Sequence, residues 1–517
     1  MRPRSPLGWL AVGAGLGLLV VVGVVAFSGA GGLGAQDDAD GGRRAGGRQS
    51  NASPSEPSGD ALAVRGPIRE RAKQAAAFSE VERPNLLLVV ADDLGQDQIG
   101  AYGLNAKAAE TPRIDALADE GILFRNVIAD PVCSPTRATI LTGRYAYRYG
   151  VGNAIPLRPG WGLPAGETVL ARPLRAQGYH SAVVGKWHLA TPDMGGLDHV
   201  RSVGFDHHLG TMGNLLGNVV GTERLMTYTD WNYVQDGQIA PNGAYITTVT
   251  TDDALRMAVE LPEPWFILVA YNAPHYPMHV PPEGLRRSAV PEAPTEAEMY
   301  RLMVESVDIE LARLLEGLGE RRARTDVVFM GDNGSAPVAD GGRLDGRHAK
   351  GTVGRGGITV PFIFSGPSAR YVGETRSLVN TTDLFATFLQ IAGSQGPWPE
   401  DAVSVVPVLS DPLAAPRRYA FSERFTPNGM GPWDEHLVAI QDERYKLVLD
   451  TGVVDGFYDL VEDPLEHRNL WDDPEAKRRL ADVIDRLKWA LPDRVDVPKM
   501  PTQEALLARG IDLSGAL

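Results

Sequence analysis

Four short clusters in this chain carry residue types that could do chemistry together: Asp92-Asp93, Lys186 with His188, His275, and Asp332-Asn333. Asp92, Asp93, Asp332 and Asn333 are all oxygen donors, the set a hard cation such as Ca²⁺ or Mg²⁺ prefers over zinc. Three carboxylates brought together without a metal should repel one another and raise their pKa values. Lys186, His188 and His275 bring positive charge and proton-transfer groups. A fifth element is Cys133-Ser134-Pro135-Thr136-Arg137, which holds the only cysteine of 517 residues. A lone cysteine makes no intrachain disulfide, and alone it reads as a small buried hydrophobe. Here Pro135 and Thr136 read as a helix start, with helix-compatible residues up to Gly143. That places the sulfur near a helix N-terminus, with the fixed charge of Arg137 four residues on.

Each cluster must be held by an element, and each follows a strand-like run. Residues 86–90, five large apolar residues, read as a strand buried on both faces that ends at Asp92-Asp93. Residues 181–184 lead to Lys186 and His188, residues 265–270 to Asn272 and His275, and residues 326–330 to Asp332-Asn333. Helical patterns lie between them, at 112–121, 296–318 and 382–391. Alternating strands and helices predict an α/β domain with a large, mostly parallel sheet. In such sheets ligands bind at the carboxyl ends of the strands. One polar cluster after a strand can be a solvated turn; four of complementary chemistry predict a site.

Composition limits the partners. Hydrophobic content of 43% and charged content of 22% are globular values, and the formal charge of −15 excludes a broad basic field for nucleic acid. Arg2 and Arg4 precede an uncharged apolar run over residues 7–27, which reads as a signal peptide or membrane anchor within residues 1–35. An exported catalytic domain follows from either, with membrane contact only through that segment if uncleaved. Residues 36–83, rich in Gly, Asp, Ser and Pro and containing the Asn51 sequon, read as a disordered linker and lead-in with a short helix-like stretch at 68–78. The catalytic domain is assigned to residues 84–416. In the subdomain at 417–517, short runs around 437–440, 445–449 and 457–458 predict an antiparallel meander, followed by an amphipathic helix at 474–491.

Together the five motifs resemble those of type I sulfatases, within the alkaline phosphatase superfamily. Smaller blocks match in the same order: Pro112 to Asp115, Gly204-Phe205-Asp206, Asp442 to Lys446 and Tyr458-Asp459-Leu460. The resemblance implies an alkaline phosphatase-like three-layer domain plus a small C-terminal sheet with a packed helix. It implies that Cys133 is oxidised by a formylglycine-generating enzyme to Cα-formylglycine, whose hydrate is the nucleophile. One geminal hydroxyl attacks sulfur and expels the alcohol; loss of the other hydroxyl's proton then eliminates sulfate and restores the aldehyde. Asp92, Asp93, Asp332 and Asn333 would hold one Ca²⁺, with Mg²⁺ as the alternative. Arg137 would stabilise the hydrate, Lys186 and Lys350 would contact sulfate, His188 would be the base for elimination, and His275 would assist the leaving group. The chain departs from the family at Thr136, where serine is frequent, and at Arg355 and Thr359, where an acidic residue and an arginine are common near Lys350. His348 receives no role. The substrate implied is a sulfated small molecule or glycan. A phosphonate monoester or phosphodiester hydrolase with the same nucleophile is the alternative, and an inactive binder of sulfated glycans the remaining one. Trp231, Tyr233 and Trp433 could stack on a substrate ring or simply pack.

Overall fold

The computed structural model describes residues 73–74, 83–340 and 349–492. The expectations for the leader and nearly all of the linker, and for His348, fall outside these residues. Eleven strands form one sheet in the order β1-β11-β3-β10-β9-β2-β8-β4-β5-β6-β7. In chain order they are β1 (Lys73–Gln74), β2 (Asn85–Ala91), β3 (Ile122–Ile128), β4 (His180–Lys186), β5 (His207–Thr211), β6 (Trp231–Gln235), β7 (Gln238–Asn242), β8 (Trp265–Tyr271), β9 (Thr325–Gly331), β10 (Phe362–Ser365) and β11 (Tyr371–Asn380). The central block β9-β2-β8-β4-β5 is parallel throughout, and only β1, β6 and β10 run against the rest.

The sequence of β2, Asn-Leu-Leu-Leu-Val-Val-Ala, is buried at every position because both sheet faces are covered. Leu86, Leu88 and Val90 enter one core, and Leu87, Val89 and Ala91 the other. Burying each of these Leu and Val side chains stabilises by ~1.5–3 kcal/mol, so a polar substitution on β2 would open whichever layer that residue faces. One face is covered by helices α1 (Pro112–Asp119), α3 (Ile246–Glu260) and α4 (Glu296–Gly317), through residues such as Leu117, Met257 and Leu311. A capping box between Thr295 and Glu298 starts α4. On the other face pack α2 (Cys133–Thr142) and α5 (Asp383–Ile391), through Ile140, Leu141, Phe385 and Phe388.

A second sheet, β12 (Ala420–Thr426), β13 (Glu435–Gln441), β14 (Tyr445–Asp450) and β15 (Val453–Asp459), is an antiparallel meander. Its Phe421, Phe425, Ile440 and Leu447 join the core on the α2 side. Two details differ from the sequence reading. At the described residues of the helix-like stretch, Lys73 and Gln74 are extended and pair with Val372 and Tyr371, because an open strand edge offers backbone partners that a short helix lacks. The single helix expected at 474–491 is two, Pro474–Arg479 and α6 (Ala481–Trp489), broken at Leu480, whose ψ is 16°.

Candidate active site

Register brings the polar clusters together. Ala91 pairs with Tyr271 on one side and Gly331 on the other, and Gly185 pairs with Ala270. The residues that follow β2, β8, β9 and β4 therefore emerge side by side at one sheet edge. Gly185 has φ +97°, and a Cβ there would lie 2.0 Å from the Ala270 carbonyl oxygen, so only glycine lets β4 approach β8 this closely. Asp93 and His188 themselves hold positive φ values of 66° and 64°, a backbone cost carried by two site residues.

Helix α2 delivers the cysteine. Val132 is extended, Cys133 is the first helical residue, and Gly143 at φ +67° closes the helix. The helix thus starts two residues before Pro135, which sits in the first turn, where its missing N–H costs nothing. Every residue from Cys133 to Thr142 is buried. The Cys133 sulfur lies 3.7 Å from Asp93 Oδ1 and 3.5 Å from Lys350 Nζ. Burial, and then the Asp92 charge, raise its thiol well above the ordinary value. The helix N-terminus does not offset this, and the sulfur is no ready thiolate.

The charges interlock around it. Arg137 donates from Nε and Nη2 to Asp332 Oδ2 at 3.0 and 2.8 Å, and from Nη1 to the Lys186 carbonyl at 3.0 Å. Lys186, fully buried, donates to Asp92 Oδ2. Lys350 Nζ reaches Asp93 Oδ1 at 2.6 Å, and His275 Nε2 lies 3.8 Å from Asp93 Oδ2. Burial opposes the charge on Asp92, but Lys186, His275 and Arg137 outweigh it and hold this carboxyl well below its ordinary value. Asp93 is likewise lowered against burial, chiefly by Lys350 and His275. Asp332 alone is pushed up, to about 6, by burial and by Asp92. The expectation that all three carboxylates would rise is therefore corrected: neighbouring cations prevent it at two of them.

His188 is buried, its Nε2 bonds the Ile155 carbonyl at 3.0 Å, and its Nδ1 has no partner among the described residues. Burial and Lys186 lower its pKa well below the usual histidine value. Burial also lowers His275, with Asp93 opposing. All ten sequence-predicted residues thus converge. The departures at Thr136, Arg355 and Thr359 leave the site intact. Thr136 Oγ1 bridges the Asp130 backbone, and the Arg355 N–H meets Glu466 at 3.0 Å. Lys350 is held by its own N–H on the Ser335 carbonyl and by the Gly351 N–H on Pro131.

The residues fit a divalent cation. Among the described residues, Asp92 Oδ1 and Asn333 Oδ1 are buried without hydrogen-bond partners, and Asp92, Asp93 and Asp332 each offer an oxygen within a 4.8 Å cluster. These three carboxylates face, among the described residues, the fixed cations Lys186, Lys350 and Arg137.

Supporting residues escaped the sequence reading. Tyr300, in α4, donates to the Asp93 carbonyl at 2.6 Å, and Ser134 Oγ accepts the Ile155 N–H at 3.0 Å. Tyr300 reads as helix core, and Ile155 acts only through its backbone, so residue type signals neither. Trp231 is buried and donates to the Ala244 carbonyl, Tyr233 donates to Asp253, and Trp433 stacks on Phe425 at 4.2 Å; all three pack.

The sequence matches the family model Sulfatase over residues 84–394 and the model N-sulphoglucosamine sulphohydrolase, C-terminal, over residues 348–492. The chain belongs to the sulfatase family. Human N-acetylgalactosamine-6-sulfatase is 31% identical over 355 residues, covering 63% of this chain and 66% of its own. The Escherichia coli (strain K12) uncharacterized sulfatase YidJ is 26% identical over 469 residues, covering 81% and 89%. The chain spans between 54% and 66% of the length of the first curated relatives it matches. Among solved structures, Ps i-CgsB in complex with k-i-k-neocarrahexaose has a TM-score of 0.67 at 25% identity, covering 84% of this chain and 98% of its own. The architecture of this sulfatase-family chain is accordingly alkaline phosphatase-like.

Proposed function

We propose that this chain hydrolyses sulfate esters, ROSO₃⁻ + H₂O giving ROH and sulfate, after oxidation of Cys133 to Cα-formylglycine. The observation that carries the reading is the position of the Cys133 side chain, 3.5 Å from Lys350 Nζ and 3.7 Å from Asp93, at the start of a buried helix. Its raised pKa makes the thiol itself a poor nucleophile, whereas conversion supplies an aldehyde whose hydrate is one. A Ca²⁺ ion held by Asp92, Asp93, Asp332 and Asn333 would supply Lewis-acid polarisation of a sulfate oxygen.

The protein groups do the rest. Lys186 and Lys350 present ammonium groups to the sulfate oxygens, and Arg137 orients residue 133 from the next helical turn. His188 donates Nε2–H to the Ile155 carbonyl, which leaves the Nδ1 lone pair to take the proton released as sulfate departs. His275 Nδ1 is engaged by the Tyr276 carbonyl at 2.8 Å, so Nε2 serves the leaving oxygen. To protonate that oxygen, His275 must carry a proton on Nε2 as the imidazolium, the form that Asp93 at 3.8 Å favours against burial. Maturation requires a formylglycine-generating enzyme, and the apolar run at 7–27 fits export of the catalytic domain.

The test is turnover of matched aryl sulfate and aryl phosphate esters by full-length protein from a host that converts Cys133. Release of sulfate at a kcat/KM well above that for phosphate is expected. Preference for the phosphorus ester would favour the phosphonate or phosphodiester reading.

A further inference from the structure

A cavity of about 250 Å³ adjoins the site and takes no part in the mechanism above. Leu157, Met212, Leu215, Met226, Val234 and Ile239 form much of its wall, and among the described residues no charged side chain lines it. Three residues join it to the reacting groups. The Met212 carbonyl accepts the His188 N–H at 2.9 Å. A Cβ on Gly213 would lie 3.1 Å from Leu157 Cδ2 and 3.2 Å from His188 Cδ2, so only a missing side chain separates the cavity wall from the imidazole. Thr211 Oγ1 lies 3.4 Å from Asn272 Oδ1, at the strand end that carries His275.

A further observation bears on the occupant. Leu157, Leu216, Val220, Leu225 and Ile239 are exposed in and around the segments that line the cavity, with Leu225 at 70%. Soluble surfaces rarely group large apolar side chains this way without a ligand or partner. A largely apolar cavity with a few polar residues in its wall, here Thr191, Thr211, Asn214 and Asn232, has the character of a small-molecule pocket.

We infer that this cavity seats the apolar body of the leaving alcohol, an aryl or alicyclic ring with its alkyl substituents. The inference rests on the sulfate-ester reading and narrows its substrate class. A highly charged glycan would find no countercharge among the described residues of this wall, and desolvating its anions against Leu, Met and Ile would disfavour it.

The experiment compares phenyl, 4-methylphenyl, 4-propylphenyl and 4-pentylphenyl sulfate with full-length, converted protein. Their phenols have closely similar acidity, so apolar bulk is the variable. The expected result is a kcat/KM that rises about fourfold for each methylene the cavity accepts. Leu157→Asp and Ile239→Asp, both at partly exposed positions, should lower the pentyl-to-phenyl ratio by about tenfold or more. Val453→Asp, exposed on β15, should leave that ratio unchanged. Turnover of all four esters at similar kcat/KM, or a better turnover of a sulfated disaccharide, would overturn the cavity assignment and leave sulfate-ester hydrolysis standing. Failure to turn over any sulfate ester would overturn both.

Discussion

Asn333 donates from Nδ2 to Asp93 Oδ1 at 2.9 Å, and its Oδ1 is buried without a hydrogen-bond partner among the described residues. A buried amide oxygen without a partner costs ~1–3 kcal/mol, and a cation beside Asp92, Asp93 and Asp332 would remove that cost. Chelation should therefore lower activity by about 10²–10³-fold, with recovery on adding Ca²⁺. It should also lower Tm, since ligand at about a hundred times its Kd stabilises by ~2.7 kcal/mol. Asn333→Leu should weaken the Ca²⁺ response in both measurements. Full activity and an unchanged Tm in thoroughly chelated protein would remove the cation from the account.

Lys186 and Asp92 form a fully buried ion pair. Without the ammonium group, Asp92 keeps, among the described residues, only the longer 3.6 Å contact to Arg137 as a direct ion pair. Lys186→Met should cost ~3–5 kcal/mol in urea unfolding, and the double variant with Asp92→Asn should cost less than the sum of the two singles. Additive losses would mean that the two groups are not coupled.

Burial and Lys186 depress the pKa of His188, so its neutral, proton-accepting form persists below the usual histidine range. The acid limb of kcat assigned to this residue should lie below pH 6.5. His188→Gln should remove that limb and reduce kcat by ~10²–10⁴-fold. An acid limb at or above 6.5 that disappears in the same variant would contradict the assignment.

Asp130, next to the Thr136 turn of α2, is pushed up to about 8 by burial, while the Glu423 N–H bonded to its Oδ1 at 3.0 Å pulls the other way. The folded state then keeps a proton that the unfolded chain loses near pH 4. Stability should fall as pH rises from about 4 to 8, with a slope of up to ~1.4 kcal/mol per unit. Asp130→Asn, neutral at every pH, should flatten this decline in denaturation curves taken across that range. Parallel curves for both proteins would show that Asp130 is ionised when folded.

Much of this arrangement was legible in the residues. Five apolar residues before Asp92 dictate a strand buried on both faces, and parallel strands in register must bring their carboxyl ends together. That alone groups Asp92, Asn272, His275, Asp332 and His188. What was not legible depends on contacts distant in sequence. Lys73 and Gln74 pair with an edge strand nearly 300 residues away. Asp92 and Asp93 escape the expected rise because Lys186 and Lys350 fold against them. The contribution of Ile155 is purely backbone. The apolar cavity draws Leu157, Met212 and Val234 from separate segments, none of which carries a motif.

In the proposed mechanism Cys133 is consumed rather than used as a thiol. Mass spectrometry of the peptide containing residue 133, from protein made in its native host, tests this most directly. Conversion of CH₂–SH to CHO predicts a mass about 18 Da below that of the cysteine form, together with reactivity toward a hydrazide probe. An unmodified cysteine in catalytically active protein would contradict the account.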